Sequence, residues 1–269
     1  MLELKNISKT FFPGTQNERK ALENIQLHLK KGDFVTIIGG NGAGKSTLFN
    51  VIAGSLQPDQ GGIFLDGKNI TFLPDYKRAR RIGRLFQDPL RGTAPNMTIE
   101  ENLALAYMRG SRHKFSIGIS KKEIALFQEH LARLGLGLEN RMKMKMGLLS
   151  GGQRQAVTLL MATIVTPQLL LLDEHTAALD PATANQVAAL TQQIVAEHQI
   201  TTMMITHNMK QSLSCGNRTI MMDEGRIILD ISGQERAGKT VKDLLEMFQT
   251  KQKKEFDNDR ILLSDDGAA

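Results

Sequence analysis

The chain predicts an α/β fold with a mostly parallel sheet, an antiparallel β part at the N-terminus and an inserted block of helices. Three observations carry this expectation. Leu2, Leu4 and Ile7, then Ile25, Leu27 and Leu29, alternate with polar residues, as half-buried strands do. The runs Phe34–Ile38, Leu169–Leu172 and Thr202–Ile205 are continuous and suit strands buried on both faces, the habit of parallel sheets. Between Asp88 and Leu149 such runs give way to helix signals.

The elements follow in order. The two alternating strands precede the turn Lys31-Gly32-Asp33, and the run Phe34–Ile38 ends in glycines before a helix over Ser46–Ile52. Asp66-Gly67 between apolar flanks marks a hairpin over Phe64–Ile70. Thr98 with Glu101 three residues on is a capping box for a helix through Ala106, and a second helix spans Lys121–Leu134. Ser150 caps a helix with Val157, Leu160, Met161 and Ile164 on one face. A helix over Pro181–Glu197 separates the last two buried runs; a hairpin over Met221–Ile228 and a helix over Val241–Phe248 follow. The expected division is an α/β core with its β part over 1–87 and 150–249, a helical insertion over 88–149, and a charged tail over 250–269.

Composition narrows the function classes. With 269 residues, 41% of them hydrophobic, the chain can bury one large core carrying an inserted part. A single cysteine, Cys215, excludes a disulfide framework and an all-cysteine metal site. Five per cent aromatics and no Trp argue against a stacking platform for single-stranded nucleic acid. No apolar run approaches the roughly 20 residues of a spanning helix, and the charged, alternating N-terminus reads as a strand rather than a signal peptide. The net charge of +6 fits nucleic acid, an anionic membrane surface or a phosphate-bearing ligand, and does not choose among them.

Three strings carry chemistry. Gly39, Gly40, Asn41, Gly42, Ala43 and Gly44 followed by Lys45, Ser46 and Thr47 stand between a buried strand and a helix. That is the context in which backbone amides and a helix N-terminus cradle a β-phosphate, Lys45 bridges the β- and γ-phosphates, and the Ser46 hydroxyl addresses Mg²⁺. Leu169–Leu172 deliver Asp173 and Glu174 to a strand end; side chains alternate along a strand, so Asp173 faces the metal through water and Glu174 the attacking water. Leu149, Ser150, Gly151, Gly152 and Gln153 open a helix and form a second anion-reading surface, so one nucleotide needs a composite of both. A further match to the phosphate-loop spacing, Gly233 to Thr240, is rejected: Glu235 would sit where phosphates lie, and no glycine inside the loop brings the backbone close.

On these strings the chain resembles the ATP-binding subunit of an ABC transporter, over roughly residues 1–230, and within that family a bacterial uptake subgroup linked to tryptophan and tyrosine. The resemblance implies a RecA-like P-loop core and assigns Gly39–Thr47 to Walker A, Leu169–Glu174 to Walker B and Leu149–Gln153 to the signature motif. It also implies Gln87 as the Q-loop glutamine and a ligand of Mg²⁺, His207 as the switch histidine, Asp180 in the D-loop, and Phe11 as the ring that stacks on adenine, with Phe12 as its rival. His175 stands where the family usually has proline and Ala178 where serine is common; both read as structural variants.

The resemblance further implies ATP and Mg²⁺ as cofactors and catalysis by Glu174, His207, Gln87 and Lys45. Two copies would close head-to-tail, the Ser150 segment of each capping the other's ATP. The implied partners are membrane-spanning permease subunits and, indirectly, an extracytoplasmic solute-binding protein; no nucleic acid is expected. The implied location is the cytoplasmic face of the cell membrane, with Pro95–Leu103 as docking surface. The basic clusters Lys77–Arg84, Arg109–Lys114 and Arg141–Lys145 fit anionic head groups or a solvated face equally. An exporter of lipids, lipoproteins or peptides, and a soluble ATPase of this type acting on ribosomes or DNA, remain the alternatives.

Overall fold

The computed structural model describes residues 1–109 and 118–250; the tail beyond Thr250 and most of the Arg109–Lys114 cluster lie outside them. Strand β1 (Leu2–Phe11) pairs antiparallel with β2 (Arg19–Leu29), in register Leu4↔Leu27 and Phe11↔Arg19. Both strands run past the alternating residues that announced them, through polar ends with register shifts. β3 (Phe34–Ile38) leads through the glycine loop into α1 (Lys45–Ala53). β4 (Gln60–Leu65) and β5 (Lys68–Asn69) form the expected hairpin, whose turn residues Asp66 and Gly67 both have positive φ.

A short α2 (Asp75–Arg78) and β6 (Ile82–Leu85) come next. β6 is absent from the sequence reading because Ile-Gly-Arg-Leu carries too little pattern; parallel pairing with β7 (Leu169–Asp173) makes it a strand. α3 (Ile99–Met108) starts on the Thr98 capping box read from the sequence, and α4 (Lys121–Ala132) starts on a second box, Ser120 with Glu123, that the sequence reading did not name. α5 (Gly151–Thr163) is followed by β7, α6 (Pro181–His198), β8 (Thr201–Ile205) and α7 (Met209–Ser214). β9 (Arg218–Asp223) and β10 (Arg226–Ser232) form the hairpin, then come α8 (Gly233–Arg236) and a helix over residues 241–250.

Two sheets result. One is antiparallel, in the order β2-β1-β4-β5; the other has the order β10-β9-β3-β8-β7-β6, parallel except for β10. Their facing residues and α1 make the largest core, with Leu4, Ile25, Phe49, Ile63, Leu171 and Ile205 among its members. A separate core holds the helical part, from Ile99, Leu103, Phe127 and Leu131 to Val157, Leu160 and Met161. The last three belong to α5, whose Leu159 and Ala162 pack instead against the sheet. Two apolar faces thus make α5 the rivet between helices and sheet.

Arg78 closes the seam behind α1. It is 1% exposed, and its guanidinium donates to the carbonyls of Leu73, Val51, Ile52 and Thr71 at 2.6–2.8 Å. Two of these are carbonyls from the end of α1, which a helix cannot satisfy internally. Arg78 is therefore a structural member of the Lys77–Arg84 cluster and not part of a membrane-facing patch.

Candidate functional site: a phosphate-loop cleft

The C-terminal edge of the parallel sheet assembles the site. In open α/β sheets ligands settle outside the carboxyl ends of the strands. β3 delivers the glycine loop, the neighbouring β8 leads to His207, β7 ends in Asp173 and Glu174, and β6 leads to Gln87.

The loop is shaped by glycine where no other residue fits. Gly39 and Gly44 have φ of 150° and 97°, and a Cβ would lie 2.2 Å from the Met222 carbonyl oxygen at the first and 2.4 Å from that of Ala21 at the second. Lys45 is buried, and its Nζ donates to the carbonyls of Gly39 and Gly40, both at 2.8 Å. Burial lowers its pKa, against the upward pull of Glu174 and Asp173. From behind, the turn of the β9–β10 hairpin holds the loop, Gly225 donating its N–H to the Ala43 carbonyl.

Glu174 corrects the alternation argument. It lies beyond the end of β7 with φ of 47°, so a left-handed turn aims it and not the strand's pleat. Its N–H donates to the Ile205 carbonyl on β8 at 3.1 Å, and its Oε1 lies 2.5 Å from Nε2 of His207. Asp173 is half-buried; burial raises its pKa while the Arg84 guanidinium, 3.6 Å away, opposes the rise. Arg84 is mostly buried and also donates to Asn50 on α1 and lies over the Phe86 ring, so it too leaves the solvent-facing part of its cluster.

The resulting cleft of about 260 Å³ is lined by Phe11, Asn41, Gly42, Ala43, Gly44, Lys45, Ser46, Thr47, Glu174 and His207, together with Arg19 and Ala21. Arg19 and Arg84 escaped the sequence reading because only strand pairing sets them beside Phe11 and Asp173. Phe12, the rival ring, is 67% exposed and does not line the cleft. Gln87 is exposed after β6 and does not line it either.

The Ser150 segment stands apart from these residues. Ser150 caps α5 through a reciprocal pair with Gln153, and Asp180 caps α6 by accepting from the Thr183 N–H. The two ends touch: a Cβ on Gly152 would lie 2.0 Å from the Thr183 methyl, and one on Gly151 3.3 Å from Leu179. His175 is buried against Thr191 at 3.2 Å, with its pKa lowered by burial to about 4. In the rejected Gly233–Thr240 match, Arg236 donates to the carbonyls of Ser212, Leu213, Cys215 and Gly216, pinning the end of α7.

These donors fit a nucleotide polyphosphate: a tight amide loop at a helix start, with a buried ammonium in reach of two loop carbonyls. For a divalent ion, Ser46, Asp173 and Gln87 offer oxygen donors. Among the described residues no group of three His, Cys, Asp or Glu could hold a metal by itself.

Residues 22–177 match the ABC transporter family. This chain belongs to the ABC transporter family. The cassette is 45% identical to the tyrosine transport ATP-binding protein of Clostridioides difficile, over 93% of this chain and 99% of that one. It is 31% identical to the energy-coupling factor transporter ATP-binding protein EcfA1 of Streptococcus pyogenes, over 84% of this chain and 77% of the relative. Among solved structures it is similar to a dimeric ATP-binding cassette in a post-hydrolysis state bound to ADP and Pi, with TM-score 0.75, 30% identity, and coverage of 86% and 98%. A cassette of an ABC transporter in its ADP conformation superposes with TM-score 0.74 at 29% identity, over 92% and 98% of the two chains. The protein is thus an ATP-binding, ATP-hydrolysing subunit of an ABC transporter, with the RecA-like core expected of one. Among the described residues no helix is long and apolar enough to cross a membrane.

Proposed function

We propose that this cassette hydrolyses Mg²⁺-ATP between two copies of itself and so drives uptake of an amino acid, tyrosine or tryptophan, through permease subunits at the cytoplasmic face of the membrane. The observation that carries the hydrolytic half is the cleft in which the phosphate loop, Glu174 and His207 share one wall. The cargo half rests on the 45% identical relative that transports tyrosine by name.

In this reading Phe11 stacks on the base, and the amides from Gly39 to Thr47 with Lys45 hold the β- and γ-phosphates. Ser46, Gln87 and Asp173 would hold Mg²⁺, which would supply positive charge at the leaving phosphates. Water attacks the γ-phosphorus in line as the bond to the bridging oxygen of ADP breaks; Glu174 takes the proton of that water, and His207 holds the transferring phosphoryl oxygens. Ser150, Gly151, Gly152 and Gln153 of the partner copy close the cage, with Asp180 beside them. Loss of the γ-phosphate removes what both copies grip and lets the pair open, an order-to-disorder switch of a general kind. Of the docking surface expected at Pro95–Leu103, Ile99, Glu100, Asn102 and Leu103 are buried, so its exposed residues Pro95, Asn96 and Glu101 supply permease docking together with the exposed Leu90, Leu105 and Met108, and the solute-binding protein acts from the far side.

Reconstitution tests both halves. The cassette, its permease and its solute-binding protein in vesicles loaded with ATP are expected to accumulate labelled tyrosine or tryptophan. ATP hydrolysis without accumulation of either amino acid overturns the cargo assignment and leaves the hydrolytic one standing.

A further inference from the structure

Arg19 opens β2 directly across from Phe11, the last residue of β1. Opposed residues on antiparallel neighbours project to the same face, and both side chains line the phosphate-loop cleft. Nη2 of Arg19 donates to the Gly42 carbonyl at 2.9 Å. The glycine makes room for it, since a Cβ there would lie 2.4 Å from that nitrogen. Among the described residues Arg19 pairs with no carboxylate. A guanidinium carries five N–H donors and a permanent charge. With one donor spent on Gly42, the charge and the others border a cleft that Phe11, the loop residues, Lys45, Glu174 and His207 also line.

We propose that Arg19 is a nucleotide-binding residue of this subunit, gripping the phosphate chain at its sugar end. The inference rests on the reading of the cleft as the ATP site. A nucleotide with its base on Phe11 and its β-phosphate in the loop must route its sugar and α-phosphate between the two, past Arg19. A planar, charged fork suits phosphate oxygens there. ADP and ATP share that phosphate, so the contact strengthens binding of both alike and leaves the chemical step to other residues.

A loop strut is the competing role, and Arg19→Gln separates the two, because an amide can still donate to the Gly42 carbonyl but carries no charge. Binding of ADP and of ATP to the full chain is measured by titration calorimetry at two salt concentrations, alongside melting without nucleotide. Arg19→Gln is expected to weaken both nucleotides about tenfold and by the same factor, to flatten the salt dependence, and to leave the nucleotide-free melting temperature unchanged. Arg19→Lys is expected to fall between it and the wild type. Wild-type affinity in Arg19→Gln, or a loss of affinity only alongside a lowered melting temperature, overturns the proposal. Lys45→Ala is the control: wild-type binding that Lys45→Ala abolishes upholds the ATP site whatever Arg19 does, whereas a wild type that binds neither nucleotide brings down both readings.

Discussion

Nε2 of His207 lies 2.5 Å from Oε1 of Glu174, and the backbone fixes the pair. Glu174 follows β7, His207 follows the adjacent β8, and the Glu174 N–H is anchored on the Ile205 carbonyl. A left-handed turn at Glu174 then brings the carboxylate and the imidazole to one wall of the cleft. Glu174→Gln is expected to lower ATP hydrolysis by a factor of about 10²–10⁴, the usual worth of a general base, while ATP binding persists. Size-exclusion chromatography with ATP should then show a trapped dimer; a monomer with normal turnover would remove Glu174 from its role.

Gly152 has a packing reason to be glycine, apart from any phosphate. Its missing Cβ makes way for the Thr183 methyl of α6. Gly152→Ala is expected to destabilise the fold by about 1–3 kcal/mol, the range for overpacking. Thr183→Ser, which keeps the N–H that Asp180 uses, should recover most of the loss in the double variant. Urea unfolding of the four chains measures the coupling, and purely additive effects would refute it.

Arg78 holds four carbonyls in the seam behind α1. Arg78→Met keeps an apolar stem but orphans those oxygens. A cost of at least about 3 kcal/mol follows, since each buried unsatisfied acceptor costs about 1–3 kcal/mol. Chemical denaturation at neutral pH checks it, and a variant as stable as the wild type would mean that the carbonyls find other donors.

His175 is buried in its neutral form, its pKa lowered by burial to about 4. In the unfolded chain a histidine titrates near 6.5. The unfolded state therefore binds the extra proton first as pH falls. The stability tied to this residue is full above about pH 6.5, is lost between there and pH 4, and changes no further below. It amounts to at most about 3 kcal/mol. In metal-free buffer the wild type should lose this increment over that window and His175→Gln should not; parallel profiles would show that His175 is not buried neutral.

What could be read from the residues alone was whatever chemistry is contiguous. A phosphate is held by consecutive amides, so the loop from Gly39 to Thr47 is legible as a string, as are the apolar run that ends in Asp173 and the helix cap at Ser150. The aim of Glu174 was not, because its left-handed turn depends on a bond to β8 and strand alternation points elsewhere. β6 was invisible for a related reason: four weakly patterned residues become a strand only when β7 supplies the ladder. Arg19 beside Phe11, Arg84 against Asp173 and Thr183 against Gly152 belong to the tertiary structure alone. The last two join segments far apart in sequence, and Arg19 meets Phe11 only through the register of β1 on β2; such neighbours are chosen by sheet register and helix packing and leave no local trace in any one stretch.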